Sequence, residues 1–160
     1  MTKDVVLRPV AAADEATLLA WANDPATRAA SRMHAAIAPA DHRRWLERRL
    51  ATPDQCRMWI GEREDEPIGV VRFERRTPTG PALEVSLSVA PVARGRGLAR
   101  PLLDQGIVAA REAFGRVTIF AAVLPGNAAS LALFDSAGFV RVAPAVGADD
   151  DDGVVALELP

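Results

Sequence analysis

The residue types best suited to chemistry fall in one stretch, Val89-Ala90-Pro91-Val92-Ala93-Arg94-Gly95-Arg96-Gly97-Leu98-Ala99. Two glycines one residue apart let the backbone approach a ligand and take dihedrals that other residues resist. A strand pattern precedes the stretch and a helix pattern follows it. The first amides of such a helix have no partner within it, so they make an anion site for a phosphate or pyrophosphate. Arg94, Arg96 and Arg100 add charge there, in a form that suits phosphate oxygens. The dinucleotide fingerprint fails because Arg100 stands where its third glycine belongs, and the nucleotide P-loop fails for want of Gly-Lys-Ser/Thr. A tight turn with exposed arginines is the plain alternative.

Proton-transfer candidates are few. Glu84 and Ser86 lie on the polar face of the strand that runs into the glycine turn. Glu84 can take a proton directly or through water, or simply face solvent. His42 opens a helix pattern, and a neutral imidazole accepts a proton near pH 7; an ordinary helix-start histidine is the other reading. His34 falls in a loop and there is no tyrosine. Cys56 begins a strand with no histidine beside it and reads as a small core residue.

These residues need a frame. A short β-branched run at 5–7 ends at Arg8-Pro9. Residues 13–22 read as a helix with an acidic first turn, stopped by Asn23-Asp24-Pro25. A short helix around 25–30 and a loop to Pro39 follow. Residues 41–50 form a helix with Trp45, Leu46 and Leu50 on one side and Arg43, Arg44 and Arg48 on the other. Strands are expected at 58–60 and 68–73, joined by the charged turn 62–67. The strand at 83–89 alternates strictly. Residues 98–114 give a helix with Leu102, Leu103, Ile107 and Ala110 as its buried stripe. A strand at 117–123, a helix at 127–137 ended by Gly138, and strands at 139–142 and 154–159 around Asp149-Asp150-Asp151-Asp152-Gly153 complete the chain. The order β-α-α-β-β-β-α-β-α-β-β implies an α/β mixed sheet with helices on both faces. The aspartate run reads as a solvated hairpin loop, not a calcium loop.

Composition narrows the function classes. The chain has 160 residues, with 19 basic and 21 acidic side chains and a formal net charge of -2. That is one domain, and its balance gives no electrostatic case for nucleic acid or an acidic membrane. One cysteine excludes an intrachain disulfide and a cysteine-rich zinc site, so no metal is expected. No signal-peptide pattern follows Met1, and the apolar runs are too short to span a bilayer, so the expected compartment is a reducing cytoplasm. The scarcity of lysine beside arginine fits a GC-rich bacterial genome.

Arg94-x-x-Gly97-x-Ala99, after Val89-Ala90-Pro91, resembles the Arg/Gln-x-x-Gly-x-Gly/Ala motif of the GNAT superfamily of N-acetyltransferases. A second block at 123–139 resembles that family's next motif, with Asn127, Ser130 three residues on, a helix, and Gly138-Phe139. The resemblance implies a GNAT-like, mostly antiparallel, splayed sheet of about seven strands flanked by about four helices. It implies one domain, with residues 1–55 shaping the acceptor pocket and 56–160 forming the acetyl-CoA core and C-terminal hairpin. It also implies acetyl-CoA as co-substrate and direct transfer of the acetyl group to a primary amine of a small molecule. The pyrophosphate would sit on the amides of Arg94, Gly95, Arg96, Gly97, Leu98 and Ala99, with Arg100 close by. A bulge near Ser88-Val89 would splay the sheet, and the pantetheine arm would pair beside Leu87, Ser88 and Val89. The Val89 amide would face the developing oxyanion. Asn127 would bond the arm or cap its helix, next to Ser130. The family often has a tyrosine acid where this chain has Phe134, which cannot donate a proton.

The acceptor side is less defined. Trp21-Ala22-Asn23-Asp24-Pro25, with Arg28, Ser31, Ile37 and His42-Arg43-Arg44-Trp45, resembles the acetyltransferases of nucleotide-linked amino sugars, of the pseudaminic acid biosynthesis type. Arg28, Arg32 or Arg43 would meet a diphosphate. Trp21 or Trp45 would stack on a sugar or base, or sit in a helix core. Ribosomal-protein N-terminal acetyltransferases share the Trp-x-Asn-Asp-Pro feature, so a peptide N-terminus or a polyamine stays open, as does a non-catalytic CoA sensor. The resemblance also allows a homodimer through the last strand.

Overall fold

The structure is a computed structural model, and it describes residues 4–142 and 153–160. Its strands are β1 (Val6–Pro9), β2 (Cys56–Arg63), β3 (Glu66–Arg75), β4 (Ala82–Val89), β5 (Thr118–Val123), β6 (Val140–Arg141) and β7 (Val155–Leu159). Its α-helices are α1 (Glu15–Ala22), α2 (Pro25–Ala29), α3 (Pro39–Leu50), α4 (Ala99–Phe114) and α5 (Ala128–Ser136). The seven strands form one sheet in the order β1-β2-β3-β4-β5-β7-β6. Only the β4–β5 pair is parallel. This is the mixed, mostly antiparallel fold expected. The aspartate run at 149–152 lies outside the described residues.

Boundaries moved for local reasons. The turn between β2 and β3 shrinks to Glu64 and Asp65, whose φ angles are 54° and 64°. Two successive left-handed residues match the twist of a tight hairpin, so both strands run longer than apolar alternation alone suggests. Pro39 enters the first turn of α3, where its missing N–H costs nothing.

Two apolar clusters sit on opposite faces of the sheet. On one, α4 lays Leu102 and Leu103 onto Val71, Phe73 and Leu83, all fully buried. Each such leucine contributes about 1.5–3 kcal/mol. On the other, Leu18 of α1 and Leu46 of α3 pack on Cys56, Met58 and Ile60 of β2. Helices α1 and α3 cover only the β2–β3 half of their face. The even-numbered residues of β4 share that face with Arg72 and Glu74.

The sheet opens at β4–β5. The pairing covers only Ala82–Glu84 against Thr118–Phe120. The expected bulge near Ser88-Val89 is not there: β3 and β4 keep one register from Arg75↔Leu83 to Gly69↔Val89. The ladder even continues, with the Ala90 amide on the Ile68 carbonyl at 2.8 Å. The register shift in this sheet lies instead at Gly61/Glu62. The opening arises because β5 stays bonded to β7 on its far side through Val123, and twist carries the two half-sheets apart.

Candidate active site

The opening, the glycine turn and the uncovered face of β4 form one cleft of about 1540 Å³. Alternation along the β3–β4 ladder fixes what the backbone offers it. Ser88 pairs with Val70, and Ala90 donates to Ile68, so even residues of β4 bond to β3. Leu87 and Val89 therefore turn their N–H and C=O groups into the opening, where β5 has already left. An extended ligand carrying amides fits this unpaired edge. Leu87, Ser88 and Val89 all line the cleft, as do Ala122 and Val123 on the β5 side.

The turn at the cleft's end fits a pyrophosphate. Gly95 and Gly97 have φ of 76° and 70°, and among the described residues no atom lies within 4 Å of where a Cβ would sit, chain neighbours aside. Open space thus meets backbone that only glycine adopts freely. The first bond of α4 runs from the Leu102 amide to the Leu98 carbonyl at 3.1 Å, leaving the amides before it without partners in the helix. Gly95, Gly97, Leu98 and Ala99 line the cleft, whereas Arg96 and Arg100 do not. Arg96 is exposed. Arg100 is held elsewhere, by Asp104 at 2.9 Å and the Ser136 carbonyl at 2.7 Å. Arg94 turns to Asp24 at 2.8 Å and the Thr27 hydroxyl at 3.0 Å.

Across the opening, the Asn127 side chain accepts from the Ser130 amide at 3.2 Å. It is the N-cap of α5, and both residues line the cleft. Phe134 also reaches the cleft, but it is buried against Phe139, with ring centres 5.0 Å apart. No phenolic acid stands there.

Glu84 occupies the point where β4 and β5 part, opposite Phe120 in the last pair. It is half-buried and lines the cleft together with exposed Ser86. His42, in the first turns of α3, is 5% exposed. Its ring lies 5.6 Å from that of Trp45, and its Nδ1 has no hydrogen-bond partner among the described residues. Burial pushes its pKa below the ordinary value, against a smaller opposing pull from Glu15. Cys56 is buried, and that burial pushes its thiol up to about 11, so it is no nucleophile near neutrality.

Several expected acceptor residues are engaged in building the wall. The Asn23 amide group donates to the Ile37 carbonyl at 3.0 Å and accepts from the Ile37 amide at 2.7 Å. Arg28 donates to the carbonyls of Ala22 at 2.7 Å and Met33 at 3.0 Å. The Ser31 hydroxyl donates to the Thr27 carbonyl at 2.6 Å. Arg43 pairs with Glu15 at 3.4 Å and does not line the cleft. Trp21 and Trp45 do line it. The guanidiniums of Arg49 and Arg72 each lie 5.1 Å from the Trp45 ring centre. Glu74 ties both, at 3.2 Å and 3.8 Å. Arg72, Glu74 and Arg76 were not singled out in the sequence. Arg72 and Glu74 alternate at the end of β3 and Arg76 follows two residues on, and this charged face on an apolar strand is the signal that marks them.

A family model described as an acetyltransferase (GNAT) domain matches residues 4–140. No curated protein matches the chain. Among solved structures, a ribosomal-protein-alanine N-acetyltransferase from Brucella melitensis is 29% identical, with a TM-score of 0.77, over 96% of this chain and 98% of that one. The yncA protein of Salmonella typhimurium, solved with its cofactor acetyl-CoA, is 25% identical, with a TM-score of 0.76, over 98% and 94%. A spermidine N-acetyltransferase from Vibrio cholerae, in complex with CoA and spermine, shares the fold at a TM-score of 0.82 with 15% identity, over 98% and 95%. With the parted strands and glycine turn described above, these matches identify the chain: it belongs to the GNAT acetyltransferase family and is an acetyl-CoA-dependent N-acetyltransferase.

Proposed function

We propose that this enzyme acetylates the primary amine of an anion-bearing small molecule, a nucleotide-linked amino sugar. The charge of the cleft carries this reading. Among the described residues, seven arginines and three carboxylates line it. Arg94 belongs to the cofactor end. Arg48, Arg72 and Arg76 also line the cleft, with the Arg72 guanidinium 5.1 Å from the Trp45 ring centre and 3.8 Å from Glu74. A diphosphate meets guanidinium favourably there, while a polyamine or aminoglycoside meets like charge. Arg43 does not line the cleft and Arg28 is held by the carbonyls of its own loop, while Arg72, tied to Glu74 at 3.8 Å, keeps donors for a diphosphate.

Acetyl-CoA supplies the acetyl thioester. The amides of Gly95, Gly97, Leu98 and Ala99, which line the cleft, would hold its pyrophosphate, and the unpaired edge of Leu87 and Val89 would receive its arm. The Val89 amide is aimed where negative charge develops. Glu84, at the parting of the strands, takes the proton of the attacking amine, directly or through water. Ser86 and Ser88 share its face and orient that water. Phe134 leaves the departing thiolate to be protonated by solvent or by the acceptor. Residues 1–55 form the acceptor wall of a single domain, and 56–160 its cofactor core.

A peptide N-terminus is the second reading. It is favoured by the 29% identity with the Brucella ribosomal-protein-alanine enzyme over nearly both chains. Thiol release from acetyl-CoA against a UDP-4-amino-4,6-dideoxy sugar, an Ala- or Ser-starting peptide, spermidine and an aminoglycoside separates the two. Turnover of the sugar nucleotide, reduced at least tenfold in Arg72→Gln with Arg76→Gln, is expected. Turnover of the peptide alone would move the assignment to the second reading.

A further inference from the structure

Arg94 reaches away from the glycine turn to a different wall of the cleft. Its terminal nitrogens meet the Asp24 carboxylate at 2.8 Å and the Thr27 hydroxyl at 3.0 Å. Asp24 is the N-cap of α2 and accepts from the Thr27 amide at 3.2 Å. One carboxylate thus caps a helix and holds the arginine of the cofactor turn. The Arg94 guanidinium keeps that carboxyl below the usual carboxylate range.

Helix α2 has five residues and buries none of them. A helix that short does not hold itself, so its ends must be fixed. Asp24 and Arg94 fix the first. Arg28 fixes the other through the carbonyls of Ala22 and Met33, and Asn23 pins Ile37 beyond it. A continuous run of polar bonds therefore leads from the glycine turn to the 25–37 segment that walls the acceptor side.

We infer that Asp24 is a positioning residue: through its ion pair with Arg94, occupancy of the glycine turn by the cofactor orders the 25–37 wall. This rests on the glycine turn being the pyrophosphate site. A guanidinium has five N–H donors, and two terminal nitrogens engage Asp24 and Thr27. The remaining donors can meet a phosphate without releasing Asp24. A phosphate arriving at the turn immobilises the arginine, and the arginine immobilises the cap of α2. The linkage is reciprocal, so an ordered acceptor wall also favours cofactor binding.

Hydrogen–deuterium exchange on the full chain, with and without saturating CoA, tests this. Asp24→Asn is the informative variant, because asparagine caps a helix as well as aspartate does but cannot form the ion pair. In the wild type, CoA is expected to slow exchange both at 95–102 and at 25–37. In Asp24→Asn the protection at 95–102 stays, while that at 25–37 drops about tenfold, within the usual range of coupling. Equal protection of 25–37 in both proteins would overturn the inference, as would its absence in the wild type while 95–102 is protected. Arg94→Gln gives an independent check: with the turn saturated, it too should lose the protection at 25–37, and retention there overturns the inference. No protection at 95–102 in the wild type would instead sink the cofactor assignment of the turn, and the inference with it.

Discussion

Glu84 and His42 are the two candidates to take the amine proton in the proposed reaction, and their surroundings separate them. Glu84 stands where the strands part, on the open face beside Ser86. His42 lies deeper, buried against Trp45 with a free Nδ1. Glu84→Gln keeps shape and removes basicity. It should lower kcat about 100-fold with the KM for acetyl-CoA unchanged, whereas His42→Gln should cost less than about fivefold. The reverse order would make His42 the base. Cys56 gives a sharper expectation. A thiol at about 11 stays protonated at pH 8, so a disulfide reagent should label it only on unfolding, with activity intact beforehand.

At the scale of elements, two glycines predict different effects. An added Cβ at Gly69 would stand 2.5 Å from the Ser88 carbonyl oxygen and 2.9 Å from Leu102. Gly69→Ala must push β3 from β4, at about 1–3 kcal/mol, read as a lower urea midpoint. At Gly97 no atom is near, but φ is 70°, so Gly97→Ala costs about 1–2 kcal/mol in backbone conformation. That cost should lower the urea midpoint as well, and what sets this variant apart from Gly69→Ala is an added loss of CoA affinity, measured by calorimetry. Unaltered affinity would count against the turn. Local features of this kind were legible in the sequence. The strand–turn–helix at 89–99 and the Asn127 cap need only neighbours to be read, and both are present. Long-range partners were not legible. Arg94 and Arg100 look alike as free cations in sequence, yet one finds Asp24 and the other Ser136. Likewise Arg28 and Asn23 look like ligand contacts until the loop they cage is seen. The bulge at 88–89 came from resemblance, and an unbroken β3–β4 ladder replaces it.

For the whole molecule, acid should weaken the fold in two separate ranges. Burial lowers the His42 pKa from 6.5, so below pH 6.5 the unfolded chain binds a proton that the folded one resists. Stability then falls as pH drops from 6.5 toward the lowered value. Asp14, held down by Arg8, and Asp24, held down by Arg94, both lie below the ordinary 3.8. Their contribution is present above 3.8 and is lost as pH falls through their lowered values. Urea midpoints from pH 8 to 3 should show both declines, and His42→Gln should flatten only the upper one. A single decline below pH 4 would place His42 among solvated histidines.

The three-residue contact between β4 and β5 has one more consequence. Most sheets keep their unpaired edges at the outside, where charge, proline or a short strand discourages a passing chain. Here an unpaired edge runs into the interior, and function forbids covering it. The edge of Leu87 and Val89 offers the same hydrogen bonds to the proposed pantetheine arm and to an extended strand from another molecule. On the proposed placement of the arm, the cofactor would also block self-association, and concentrated protein stripped of CoA should scatter more light on standing than the same protein kept saturated.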